Sequence, residues 1–171
     1  SSLVEIYNND FNGNINFDGC NPAGNDYSLW IHDNKIYQNV RSVNTLNGIS
    51  FDGFNKNVII ENNVAYNWNK GIYFYFVDSA AGFNNVTIRN NLFYNIGDDG
   101  YNGAGIDFVT LDGTPSCKNY YMHNNTIHTL DQLEVCININ TSSTWEDFYI
   151  FNNILYGTSV DLAWNNSVGI D

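Results

Sequence analysis

A parallel β-helix of about six coils is the fold that the sequence predicts, and three observations carry it. Asparagine supplies 32 of the 171 residues against only 2 prolines. It is poor in helix interiors and depleted in strands, but it tolerates left-handed backbone and satisfies polar groups in turns, so it belongs at recurring bends. A six-residue pattern of alternating apolar residues closed by Asn recurs six times, and no segment carries a helical stripe. Val4-Glu5-Ile6-Tyr7-Asn8-Asn9 opens the first coil, followed by Phe11 and a second alternating strand at Ile15/Phe17. Leu29 to Asn34 opens the second coil, with Ile36 and Ile49/Phe51 behind it. Val58 to Asn63 leads to Ala65 and Ile72/Phe74, and Val86 to Asn91 leads to Phe93 and Ile106/Phe108. Tyr120 to Asn125 then precedes Ile127 and Ile137/Ile139, and Phe148 to Asn153 precedes Leu155 and Leu162/Trp164.

The closing Asn returns after 25, 29, 28, 34 and 28 residues, a period of one coil. Six coils at a strand spacing of ~4.8 Å make a rod about 25–30 Å long. The closing Asn side chains are expected to stack at the bend between two sheets as an internal hydrogen-bonded ladder. Trp68 aligns with Ile96 and Leu130 and is expected in the core. The whole chain, 1–171, reads as one domain, a module of a larger multimodular protein: no capping element is evident at either end, and uncapped sheet edges are normally covered. The chain carries 18 acidic and 6 basic residues, a net charge of −12, and its Lys and Arg are scattered singly. That balance argues against nucleic acid or an anionic membrane as partner. The first residues lack the pattern of a secretory signal.

The repeated N-N-x-apolar coil signature resembles that of the right-handed parallel β-helices of pectate-lyase-like proteins. The resemblance implies a single-stranded right-handed parallel β-helix and leaves the activity open, because that fold hosts lyases, glycoside hydrolases, esterases, epimerases, tailspikes and carbohydrate-binding modules. Catalytic members generally have more coils and long loops that wall a cleft. The short chain more closely resembles the β-helical xylan-binding modules of multimodular xylanases.

Aligning the second strands gives an outward column of Asn16, Ser50, Tyr73, Asp107, Asn138 and Ala163. Beside it runs a second column of Asp18, Asp52, Tyr75, Val109, Asn140 and Asn165. Aromatic faces stack on the C–H surface of sugars while Asp and Asn bind hydroxyls. Tyr73, Tyr75, Asp52, Asp107, Asn138 and Asn140 are therefore candidate ligand-binding residues, and Trp145, expected in a loop, is free to join them. A non-catalytic module that binds a plant cell-wall polysaccharide, xylan first, is expected, tethered to a catalytic domain and extracellular or cell-surface on that account. A small lyase or glycoside hydrolase using Asp18, Asp52 and Asp107 is the alternative, and a structural or adhesin-like rod is the third reading. Two other strips compete as binding faces: Glu5, Trp30, Ile59, Thr87, Tyr121, Tyr149, and the stack Tyr37, Tyr66, Tyr94, His128, Tyr156. Glu61 and Arg89 should pair across adjacent coils. The Gly-rich segment 97–105 makes Asp98 and Asp99, with Asp112, candidate calcium ligands. Cys117 and Cys136 either pair or stay thiols, with Cys136 expected outward and Cys117 in a loop.

Overall fold

The computed structural model describes residues 2–18, 27–40, 46–52, 56–76, 84–97, 103–110, 116–130, 134–140, 144–157 and 160–164. Each coil contributes three strands. Coil 1 holds β1 (Ser2–Tyr7), β2 (Asp10–Asn12) and β3 (Ile15–Asp18); coil 2 holds β4 (Tyr27–His32), β5 (Lys35–Tyr37) and β6 (Asn47–Asp52). Coil 3 holds β7 (Lys56–Glu61), β8 (Val64–Tyr66) and β9 (Lys70–Phe76); coil 4 holds β10 (Asn84–Arg89), β11 (Leu92–Ile96) and β12 (Ala104–Thr110). Coil 5 holds β13 (Ser116–His123), β14 (Thr126–Thr129) and β15 (Val135–Asn140); coil 6 holds β16 (Thr144–Phe151), β17 (Ile154–Tyr156) and β18 (Val160–Trp164). First, second and third strands stack in coil order into sheets A, B and C, each of six parallel strands. The chain is a parallel β-helix of six coils. The short apolar segment after each closing Asn, centred on Phe11, Ile36 and their equivalents, forms a sheet of its own and closes the cross-section.

The bends explain the asparagine content. Among the described residues, twelve non-glycine positions have positive φ, and all are Asn or Asp. Six of them, Asn8, Asp33, Asn62, Asn90, Asn124 and Asn152, immediately precede the closing Asn at the corner between sheets A and B. Left-handed backbone costs most L-residues about 1–2 kcal/mol, whereas Asn and Asp offset it with local hydrogen bonds. Asn57, Asn85, Asn119 and Asp147 form a second such column within sheet A, where the strand register skips one residue.

The closing asparagines make a continuous ladder. In each coil the backbone N–H and Nδ2 of the Asn both donate to Oδ1 of the Asn in the next coil. The ladder runs from Asn9 to Asn34, Asn63, Asn91, Asn125 and Asn153 at 2.9–3.1 Å. Nδ2 of Asn63 also donates to Ile31 O and Glu61 O, so its amide ties three coils together. Around the ladder the core is built of aligned columns. Phe17, Phe51, Phe74 and Phe108 stack at 4.8–5.1 Å, and Ile15, Ile49, Ile72, Ile106 and Ile137 lie beneath one another. Trp68 is in the core as expected, with Nε1 donating to Ile36 O. Where sheet B turns into sheet C the coils approach closely: a Cβ on Gly71 would sit 2.5 Å from Gly105 O.

Two local expectations are corrected. Cys117 lies within β13 and Cys136 within β15, and both are buried thiols with no disulfide between them. Cys136 points inward because the chain is still turning the corner into sheet C, so Cys136 and Ile137 are buried in succession. Trp145 belongs to β16 rather than a loop, and it packs edge-on against Phe108, Tyr120 and Phe148 beside the core.

Two measurements test this architecture. Asn63→Ala removes a buried amide and strands donors and acceptors on three coils, so urea unfolding should show a loss of about 3 kcal/mol or more. Asn62→Gly keeps the left-handed corner and should stay within about 1 kcal/mol of the parent. Burial pushes the Cys136 thiol up to about 11; alkylation at mildly alkaline pH followed by peptide mass mapping should leave Cys136 unmodified until the chain is unfolded.

Candidate functional site

Sheet C presents the expected outward columns in the expected register: Asn16, Ser50, Tyr73, Asp107, Asn138 and Ala163 lie side by side, as do Asp52, Tyr75, Val109 and Asn140. Asp18 pairs with Asp52 along the backbone. The chemistry of this face differs from expectation. Only 3% of the Asp107 side chain is exposed: its Oδ2 is 2.5 Å from Lys70 Nζ and its Oδ1 accepts a hydrogen bond from Asn138 Nδ2 at 2.8 Å. Lys70 also lies over the Tyr73 ring, 3.9 Å from its centroid, and Tyr73 stacks on Tyr75. Burial, and then the Asp107 charge, holds the Tyr73 hydroxyl well above the usual phenol range. Lys70 starts β9, one coil before Asp107, and its stem reaches across. Asp107 is therefore consumed in an interlocked Lys–Asp–Asn–Tyr cluster. Asp52 is half-buried opposite Tyr75, and Asn140 is exposed.

Sheet A carries the more open feature. A shallow groove of about 480 Å³ runs along the rod from Leu3 and Trp30 past Ile59 and Thr87 to Tyr121, flanked by Asn57, Asn85 and Asn119. Its axis follows one register column, so Trp30 on coil 2 and Tyr121 on coil 5 are three strand spacings apart, about 14–15 Å. Among the described residues no charged side chain lines it. The second left-handed column forms its polar wall, where Asn119 Nδ2 donates to Asn85 Oδ1 and Asn85 Nδ2 to Asn57 Oδ1, each at 2.8 Å. Tyr121 stacks on Tyr149 at 5.2 Å. Trp30 is held from the neighbouring column: its Nε1 donates to Glu61 Oε1 at 2.8 Å, and its ring rests 4.1 Å from His32. Sequence alignment of the coils finds the Trp30 and Tyr121 strip; the groove itself arises because the skipped residue in each strand turns the Asn column outward beside it.

Among the described residues, charged side chains border the groove without lining it. Glu61 is buried, and its carboxyl lies below the usual range; burial opposes ionisation, but Arg89 Nε, 2.5 Å away, and Trp30 Nε1 outweigh it. The Glu61–Arg89 pair matches expectation. His32 contacts Asp33 Oδ2 at 2.7 Å and Glu5 Oε1 at 2.9 Å, and the Asp33 hydrogen bond leads the effects that raise its pKa above 6.5. His123 goes the other way, lowered by burial and by the Arg89 charge. The stack Tyr37, Tyr66, Tyr94 is present on sheet B with ring spacings of 5.2 and 4.7 Å, and Lys35 lies over Tyr37.

The candidate calcium ligands Asp98, Asp99 and Asp112 lie outside the described residues, as does Asn165. Among the described residues no cluster of three or more His, Cys, Asp or Glu side chains converges to hold a metal ion. No protein-family model, curated protein or solved structure matches the chain. Its function must therefore be argued from these surfaces.

His32 and His123 should separate in an NMR titration, His32 above pH 6.5 and His123 below it. Because the folded His32 value is raised, its stabilisation is complete below pH 6.5 and is lost as pH rises through the folded value; His123 instead destabilises as pH falls. His32→Gln should cost more stability in urea unfolding at about pH 5.5 than at about pH 8.

Proposed function

We propose that this chain is a non-catalytic carbohydrate-binding domain that holds a neutral plant cell-wall polysaccharide, xylan in first place, lengthwise against sheet A. The observation that carries the reading is the uncharged groove with Trp30 and Tyr121 three coils apart. Indole and phenol faces offer stacking surface to the apolar faces of sugar rings, and Asn57, Asn85, Asn119 and Thr87 offer amides and a hydroxyl to sugar hydroxyls. A polymer lying along the rod meets the same donors at each coil, because side chains on a stacked sheet recur at the strand spacing. A groove without a cation suits a neutral glycan better than a polyuronate, which a chain of charge −12 would repel. The resemblance of the short chain to β-helical xylan-binding modules supports the same reading. With it come an extracellular setting and a catalytic partner domain that acts on the bound polymer. Tyr73 and Tyr75 on sheet C are the competing platform, weakened by the engagement of Asp107 and Tyr73 with Lys70.

Affinity electrophoresis through soluble xylan, glucan, mannan and pectin tests the proposal. Retardation by a neutral glycan and not by pectin is expected, with Trp30→Ala and Tyr121→Ala each weakening binding about tenfold. Tyr73→Ala and Tyr75→Ala should leave it nearly unchanged. If these two abolish binding while the groove variants retain it, the site belongs to sheet C. If no polysaccharide retards the chain, the binding reading falls.

A further inference from the structure

Trp30 is fixed in the groove by side chains that do not themselves line it. Register sets Trp30 beside Glu5 on coil 1 and Ile59 on coil 3, and sets His32 beside Tyr7 and Glu61. Two diagonal contacts cross this grid. Trp30 Nε1 reaches forward one coil and donates to Glu61 Oε1 at 2.8 Å, while His32 Nε2 reaches back one coil to Glu5 Oε1 at 2.9 Å. Glu61 is buried, and its other oxygen, Oε2, accepts from Arg89 Nε on coil 4 at 2.5 Å, so the acceptor that faces the indole is itself held. His32 is held as well: its Nδ1 contacts Asp33 Oδ2 at 2.7 Å, and its ring stacks on Tyr7 at 5.3 Å. The indole therefore meets a fixed acceptor at its edge and a fixed ring 4.1 Å away. Tyr121, at the far end of the groove, leans instead on Tyr149, which is 46% exposed.

We propose that Glu61 is a positioning residue of the groove, fixing the Trp30 ring through the Nε1 hydrogen bond in the orientation on which a glycan stacks. The inference rests on the carbohydrate-binding reading above. An aromatic platform that is already ordered loses little rotamer freedom when a sugar ring settles on it, whereas a free one must be immobilised by the ligand. The bond also engages the one polar atom of the indole, a donor only. Trp30 then offers the ligand its ring and no N–H, so it reads the apolar face of a sugar and leaves the hydroxyls to the amides of Asn57, Asn85 and Asn119. Arg89 offsets the Glu61 charge, so this carboxylate anchors the platform without adding net charge beside the groove.

Three substitutions separate the hydrogen bond from the rest of the cluster. Glu61→Gln keeps an oxygen for the indole N–H and Glu61→Leu removes it; both break the Arg89 ion pair, so their difference isolates the bond. Trp30→Phe keeps an aromatic ring and lacks the N–H. In affinity electrophoresis of the full chain through soluble xylan, Glu61→Leu should bind about threefold to tenfold more weakly than wild type, and Glu61→Gln within about twofold of wild type. Adding Glu61→Leu to Trp30→Phe should weaken binding no further. In proton–nitrogen correlation spectra the Trp30 indole resonance, identified by its loss in Trp30→Phe, should exchange with solvent faster in Glu61→Leu than in wild type or Glu61→Gln. Wild-type retardation with the Gln and Leu variants equally weakened overturns the inference, because the ion pair or the fold then carries the effect. So does a Glu61→Leu loss that persists in full on Trp30→Phe, and so does a Glu61→Leu chain that binds as wild type does. Absence of retardation in wild type itself overturns the carbohydrate-binding reading, and this inference falls with it.

Discussion

A corner that only asparagine fills well is what the other features of this structure depend on. A parallel coil must turn at the same place and angle each time, or its strands drift out of register with the coil below. The turn between sheets A and B needs a left-handed residue, followed by a side chain able both to donate and to accept within a closed interior. Asn meets both demands: it tolerates the conformation, and its amide carries a carbonyl and two N–H bonds. Aspartate stands in at the exposed left-handed corner residue, as at Asp33, but the ladder itself needs the neutral amide, because a carboxylate has no N–H to donate to the next Oδ1 and would set a buried charge among carbonyl oxygens. With that corner repeated, the phenylalanine and isoleucine columns align without further instruction.

The same alignment disciplines the charges. The chain is strongly acidic, yet the four basic side chains described each meet an acid on an adjacent coil: Lys35 with Asp10, Lys70 with Asp107, Arg89 with Glu61, and Lys118 with Glu146. Exposed pairs of this kind contribute about 0–1 kcal/mol each, so their stabilising effect is small. Their consequence lies in placement. They draw cations into specific columns, leaving a neutral strip on sheet A where Trp30 and Tyr121 stand among amides. The buried Lys70–Asp107 pair has the opposite effect on sheet C, where it occupies the carboxylate and covers the tyrosine that would otherwise face a ligand.

How far each feature could be read in advance follows from its range. The coil repeat, the Asn ladder, the Phe and Ile columns, buried Trp68, the Glu61–Arg89 pair and the register of the sheet C face all follow from period-two alternation and a fixed coil interval, which a linear string displays. Cys136 and Trp145 escaped because they sit where the alternation breaks: Cys136 at a corner where two successive residues turn inward, and Trp145 just before Asp147, where a left-handed residue resets the phase of β16. Lys70 escaped for a different reason. Its strand position is plain, but its reach onto the next coil depends on a long flexible stem and on where Asp107 faces.

Length, composition and the recurring Asn were sufficient to determine a six-coil parallel β-helix, its core columns and the neighbours of nearly every strand, because stacking identical coils converts sequence period directly into contact. What only the tertiary structure decided is which outward strip stays open. Exposure on a face depends on the reach of side chains from adjacent coils and on bulges that tilt one column toward another. Those relations act between residues 25 to 37 positions apart in the hydrogen-bonded pairs seen across coils, and no local pattern encodes them. The chain specifies its scaffold through repetition and its surface through the departures from it.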